Sequence, residues 1–242
     1  MIKVPDYVLR RDKEPMFYFP YDILILAAFG LSIWASFRVK GTFRQWAQVP
    51  IRSGMTGYEA ARRMLDLNGL YDVPVEPVRG ELTDHYDPIK RVVRLSEPVY
   101  YERSIAAVSV ACHEVGHAIQ HKLSYPMLVL RHKMFPIVNF ASGAAPFLLI
   151  AGFLMQWSNL ILLGILFFSA AVLFQLVTLP VEFNASSRAR ELMISEGFIT
   201  NDEEKGVAKV LNAAALTYVA AALISLLELL KFIMIFASNR DE

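Results

Sequence analysis

Residues 104–121 read Ser104-Ile105-Ala106-Ala107-Val108-Ser109-Val110-Ala111-Cys112-His113-Glu114-Val115-Gly116-His117-Ala118-Ile119-Gln120-His121. Within them lies the H-E-x-x-H motif His113 to His117. Helix positions i and i+4 differ by about 40° in azimuth and roughly 6 Å in rise, so the two imidazoles can aim at one metal ion. Glu114 stands beside the first histidine, where its carboxylate reaches a water on that metal without being a ligand. This is the arrangement of a hydrolytic zinc site. Ser104 is a helix cap, and Ile105 to Cys112 is apolar on every side, so the motif rides on a buried helix. Two histidines and a glutamate are costly to bury there without partners, which separates this stretch from a chance motif on a solvated face. Cys112, the single cysteine of the chain, cannot form an internal disulfide and reads as a small buried residue.

The rest of the chain places this helix at a membrane. Of 242 residues, 55% are apolar and only 19% charged, a balance skewed away from soluble proteins. A net charge of +1 gives no reason to expect a nucleic-acid partner. Four candidate transmembrane helices follow from the apolar runs, at 21–38, 134–156, 159–181 and 213–237. The second and third are separated only around Gln156 to Asn159 and read as a hairpin. The fourth carries Glu228 and Lys231, spaced to pair or to snorkel. The first is the shortest, because Ile23 to Phe37 is free of charge for fifteen residues, and Phe17, Tyr18, Phe19 and Tyr21 extend it as an interfacial belt. Residues 1–20 form a charged tail, and no cleavable signal peptide is expected. The stretch from Arg38 to Lys133 holds fourteen lysines and arginines and the hairpin loop holds none. Arg188, Arg190, Lys205 and Lys209 follow the third span, so both polar segments are expected on the cytoplasmic side.

Residues 39–103 read as a cytoplasmic α+β segment. Thr56-Gly57-Tyr58-Glu59 is a capping box, and Asn68-Gly69 stops the helix it opens. Two extended pieces, Tyr71 to Val78 and Arg91 to Leu95, are expected around a turn at Thr83 to Pro88. An exposed strand edge just before the motif helix could hold an extended peptide by main-chain hydrogen bonds, or the small sheet could merely cover the helix.

Catalytic zinc usually takes three protein ligands. The metzincin spacing would put the third histidine ten residues after His113, where the chain has Leu123. His121 lies about 12 Å along the helix axis from His113, too far to share its ion. The better candidate is Glu182, which opens a third-ligand helix and connector at 182–212. The positions that share its face are Ala185, Ser186 and Ala189, small enough to let the motif helix approach. The competing reading pairs Glu182 with Arg188 or Arg190. His85 and Asp87 could reach a metal as well, but the turn at Pro88 accounts for them.

Leu82 to Pro88, Ser104 to Ala107 running into His113 to Gln120, and Thr178 to Ser186 together resemble the YugP-type neutral zinc metallopeptidases of bacterial membranes. The resemblance covers nearly all the chain after residue 50, and extends more distantly to the HtpX-type proteases and the CAAX prenyl endopeptidases, which are gluzincins. It implies one Zn2+ per chain on His113, His117 and Glu182, with Glu114 as the base. In the distant relatives an acidic residue lies four positions after the ligand glutamate; here that position is Ser186. The expected fold is a mainly α membrane protein of about four transmembrane helices with a small cytoplasmic α+β zincin-like (gluzincin) catalytic domain, and residues 104–122 form its motif helix.

The expected activity is that of a zinc metalloendopeptidase of the bacterial inner membrane, acting on membrane proteins or their cytoplasmic segments, with the lipid bilayer and a peptide or membrane-protein substrate as partners. Ser186, Arg190, His85 and Tyr86 are candidates to flank the site or touch substrate. Donors to the developing oxyanion are sought among His85, Tyr86, Tyr125 and Arg190, whereas Arg188 is turned about 120° from Glu182 on its helix. Two alternatives compete. A non-catalytic zinc-binding scaffold or metal-handling protein would usually close its site with four ligands. A motif helix inside the bilayer would need a longer apolar lead-in than Ile105 to Cys112.

Overall fold

The computed structural model describes residues 19–238 of the chain. The charged tail, with Phe17 and Tyr18 of the expected belt, lies outside the described residues. The element order is α1 (Phe19–Ala47), α2 (Gly57–Leu67), β1 (Val75–Val78), β2 (His85–Asp87), β3 (Val92–Ser96), α3 (Glu97–Tyr101), α4 (Ile105–Lys122), α5 (Pro126–Leu154), α6 (Ser158–Ser195) and α7 (Asn201–Ser238).

Four of these helices, α1, α5, α6 and α7, are long and apolar enough to cross a membrane. Each runs beyond the apolar run that announced it. The third run and Glu182 therefore belong to one unbroken rod, α6, and the fourth run shares α7 with the polar turns from Asn201. Helices α5 and α6 form the tight hairpin. A Cβ on Gly152 would lie 2.8 Å from the backbone nitrogen of Ile161, so the two backbones meet where that side chain is absent.

The polar segment between α1 and α4 folds as a small α+β unit. Thr56 accepts from the Glu59 N–H at 3.1 Å while Glu59 accepts from the Thr56 N–H at 2.7 Å, which closes the capping box of α2. The sheet has the order β1-β3-β2, with β1 parallel and β2 antiparallel to β3. Here the structure departs from the expected turn at Thr83 to Pro88, because His85–Asp87 inside it is strand β2. The turn is shorter and comes later. Asp87 Oδ1 accepts from the N–H groups of Ile89 and Lys90, which reverses the chain into β3. Asp84 accepts from the Ser96 N–H at 2.7 Å and ties the other end of the hairpin down.

Helix α4 runs through the middle of the core. Ser104 caps it by accepting from the Ala107 N–H at 3.1 Å. Its buried Ile105, Val108, Val115 and Ile119 pack with Met64 and Leu65 of α2, Val93 and Leu95 of β3, and Met193 of α6. Burial also pushes the Cys112 thiol up, away from its reactive anion. The core thus joins the sheet unit to the non-apolar ends of α6 and α7, and the motif sits at that junction.

Candidate metal centre

His113 and His117 are one turn apart on α4, with ring centroids 4.8 Å apart and planes at 84°. Their partner arrives from α6. Ala185 and Ala189 are fully buried, and a Cβ on Gly116 would lie 2.7 Å from the Ala185 carbonyl oxygen. The two helices cross where neither has a side chain beyond a methyl group, which lets Glu182 lean over the histidines. Glu182 Oε2 is 3.4 Å from His113 Nε2 and 3.5 Å from His117 Nε2. The ligand atoms of the three residues lie within 4.8 Å of one another.

The donor set fits a metal cation on two grounds. First, Glu182 Oε2 is buried and has no hydrogen-bond partner, a costly state for a carboxylate that a cation would relieve. Second, the far nitrogen of each ring is engaged. His117 Nδ1 is 3.0 Å from Gln120 Oε1, while the Gln120 amide group donates to the Val181 carbonyl at 2.8 Å and to Asn184 Oδ1 at 3.0 Å. With its NH2 so occupied, Gln120 accepts from His117, so Nδ1 carries the proton and Nε2 presents its lone pair. His113 Nδ1 is 3.1 Å from Ser186 Oγ. Such outer contacts fix ring orientation and raise the basicity of a metal ligand. Two imidazoles and one carboxylate are the ligand complement of a catalytic zinc site, which keeps a further position open.

Glu114 lies beside these groups and is itself buried. Its Oε2 accepts from the Tyr86 N–H of β2 at 3.0 Å. Burial pushes its carboxyl up to about 7, against the pull of His113 and with the added repulsion of Asp84 and Glu182. Two cavities, of about 640 and 230 Å3, meet at Asp84, His113, Glu114, Glu182 and Tyr218. The larger extends past His85, His121 and His132 to Phe135 and Phe174. The smaller is lined by Val39, Val110, Leu211, Ala214 and Ala215.

The other sequence candidates are distributed as follows. His85 lines the larger cavity and its Nδ1 contacts the Thr83 carbonyl at 2.8 Å, so it stands at the rim. Tyr86 gives its N–H to Glu114, and its hydroxyl lies 2.8 Å from His121 Nδ1. Asp87 is taken by Arg94 at 3.1 Å. Arg190 lines neither cavity. Its Nε donates to Glu204 at 2.9 Å on the opening turn of α7, and that exposed pair draws the guanidinium away from the cavities. Arg188 donates to Asn184 at 2.7 Å. Tyr125 lines neither cavity. The cation that meets Glu182 is Arg131, at 3.3 Å from Oε1, and not Arg188 or Arg190. Gln120, Asn184, Arg131 and Tyr218 were not anticipated. Of these only Tyr218, a polar residue within the fourth apolar run, carries a signal of its own.

Comparisons with known proteins agree with this chemistry. The family described as "Putative neutral zinc metallopeptidase" matches residues 21–237. The chain is 69% identical over 222 residues to "Putative membrane protease YugP" of Bacillus subtilis (strain 168), covering 92% of this chain and 99% of that protein. No solved structure matches the chain. A match over nearly the whole length, across the residues that converge on Glu182, establishes that this chain belongs to the neutral zinc metallopeptidase family.

Proposed function

We propose that this chain is a membrane-embedded zinc endopeptidase that hydrolyses peptide bonds of membrane proteins, or of their cytoplasmic segments, at the inner face of the bacterial cell membrane. One zinc ion per chain is held by His113, His117 and Glu182. The observation that carries this reading is the unpartnered oxygen of Glu182 aimed between two Nε2 atoms, with the buried carboxylate of Glu114 alongside.

Bound zinc supplies Lewis acidity and lowers the pKa of water at its open position. With the metal held by His113, His117 and Glu182, Glu114 would be the base that takes a proton from the attacking water and the acid that returns it to the leaving amine. The Tyr86 N–H holds one oxygen of Glu114 and leaves the other to handle the proton. Because β3 pairs with β2 on one side, this N–H directed at Glu114 marks the outer edge of β2 as facing the site. An extended substrate has an edge to pair with there. Glu182 follows directly on the apolar run of α6, and the larger cavity reaches Phe135 and Phe174 on membrane-length helices. Both features support substrates that approach along the bilayer surface.

The test is Glu114→Gln in the full-length protein, with the zinc-to-protein ratio and casein cleavage measured on the same sample. The expected result is one zinc in wild type and variant alike, with cleavage slowed about 100- to 10,000-fold in the variant. Equal rates would overturn the mechanism, and a wild type that holds zinc and cleaves nothing would favour the scaffold reading.

A further inference from the structure

The two oxygens of Glu182 have unlike surroundings. Oε2 faces His113 and His117 without a hydrogen-bond partner, while Oε1 is 3.3 Å from Nη1 of Arg131. Arg131 belongs to the early turns of α5, a different helix, and its guanidinium carbon lies 6.0 Å from the centroid of the Phe174 ring on α6. The side chain is therefore held by a contact with its aromatic neighbour as well as by the carboxylate. An arginine that served only to neutralise a carboxylate would be expected to use its planar fork, two parallel N–H···O contacts that satisfy both oxygens. Here a single contact is made, and the oxygen it leaves free is the one that faces the imidazoles.

A carboxylate can meet a metal through one oxygen or through both. We propose that Arg131 is a positioning residue that grips Oε1 and so makes Glu182 a one-oxygen ligand, keeping open the position that water and substrate need. The proposal rests on the ligand assignment given above. Without the grip, Glu182 is free to rotate and bind through both oxygens, which closes that position. The same contact ties α5 to α6 beside the larger cavity, so it is made only when both helices are seated.

The experiment uses full-length wild type, Arg131→Met and Arg131→Lys in detergent, loaded with Co2+ and followed by visible absorption, with zinc content, casein cleavage and melting temperature measured in parallel. Methionine keeps an unbranched stem against Phe174 but cannot donate. Its cobalt bands are expected to weaken, as they do when coordination number rises, and its cleavage to fall about 10- to 100-fold. Lysine, whose ammonium group donates and keeps the charge, is expected to keep the wild-type spectrum. A merely structural role would lower the melting temperature and leave the cobalt spectrum unchanged, and a spectrum of Arg131→Met identical to wild type overturns the proposal. If Arg131→Met does not fold, Arg131→Gln, too short to reach Oε1, takes its place with the same expected loss and the same overturning result. A wild type that takes up neither cobalt nor zinc would instead refute the ligand assignment.

Discussion

Of the three carboxylates buried on membrane-length helices among the described residues, Asp22 near the start of α1, Glu182 on α6 and Glu203 on α7, the first two each leave one oxygen without a hydrogen-bond partner. The other oxygen of Asp22 meets the ammonium group of Lys231, which α7 supplies. An acid in an apolar stretch is costly unless a cation accompanies it, and here the chain provides that cation in full. Glu182 is treated differently. It shares Arg131, but its second oxygen looks at two imidazoles whose Nδ1 atoms are already engaged. Among the described residues, His113, His117 and Glu182 form the one cluster of three groups that could hold a metal. An acid met by an ammonium group is a strut between helices. An acid met by two neutral lone pairs is placed to receive a cation.

Substitution can break that contrast. The largest effect is expected for Glu182→Ala, with zinc content falling toward zero and casein cleavage lost. If the variant kept its zinc, the carboxylate would be a strut after all. A smaller effect is expected for Gln120→Leu, which removes the acceptor that holds the His117 ring while filling similar space. Zinc affinity should fall about 10- to 100-fold, as read by competition with a chromophoric chelator. An unchanged affinity would mean that the ring is oriented by packing alone. The smallest effect on the metal is expected for Asp22→Asn. Zinc content and cleavage should stay at the wild-type level, while the unpaired Lys231 costs about 2 kcal/mol and lowers the melting temperature by roughly 4–8 °C. Loss of zinc in this variant would show that the two carboxylates are coupled through α1 and α7.

The parts of the site that were legible in the sequence are those written in local spacing. His113 and His117 are neighbours on any helix, and Glu114 comes with them. Glu182 was legible for a subtler reason, since Ala185 and Ala189 announce a helix face that another helix can approach, and they are buried against α4. On the α4 side the close approach is made by Gly116, opposite Ala185, which had not been singled out. The contacts that span elements were not legible. Arg131 reads as one of many positive residues preceding a span, and only the placement of α5 against α6 brings it to Glu182. Gln120 is anonymous until Val181 and Asn184 lie beside it. Strand β2 was hidden because Asp84 and Asp87 are turn formers by propensity, yet here their side chains brace the hairpin while the backbone between them stays extended.

The separation of the ligand set between α4 and α6 also bears on the order in which the protein is made. A ribosome delivers His113 and His117 well before Glu182, with the whole of α5 and the apolar run of α6 between them. A nascent or prematurely terminated chain therefore carries two imidazoles and no third donor. The cluster of three is complete only once α6 has been made and packed against α4.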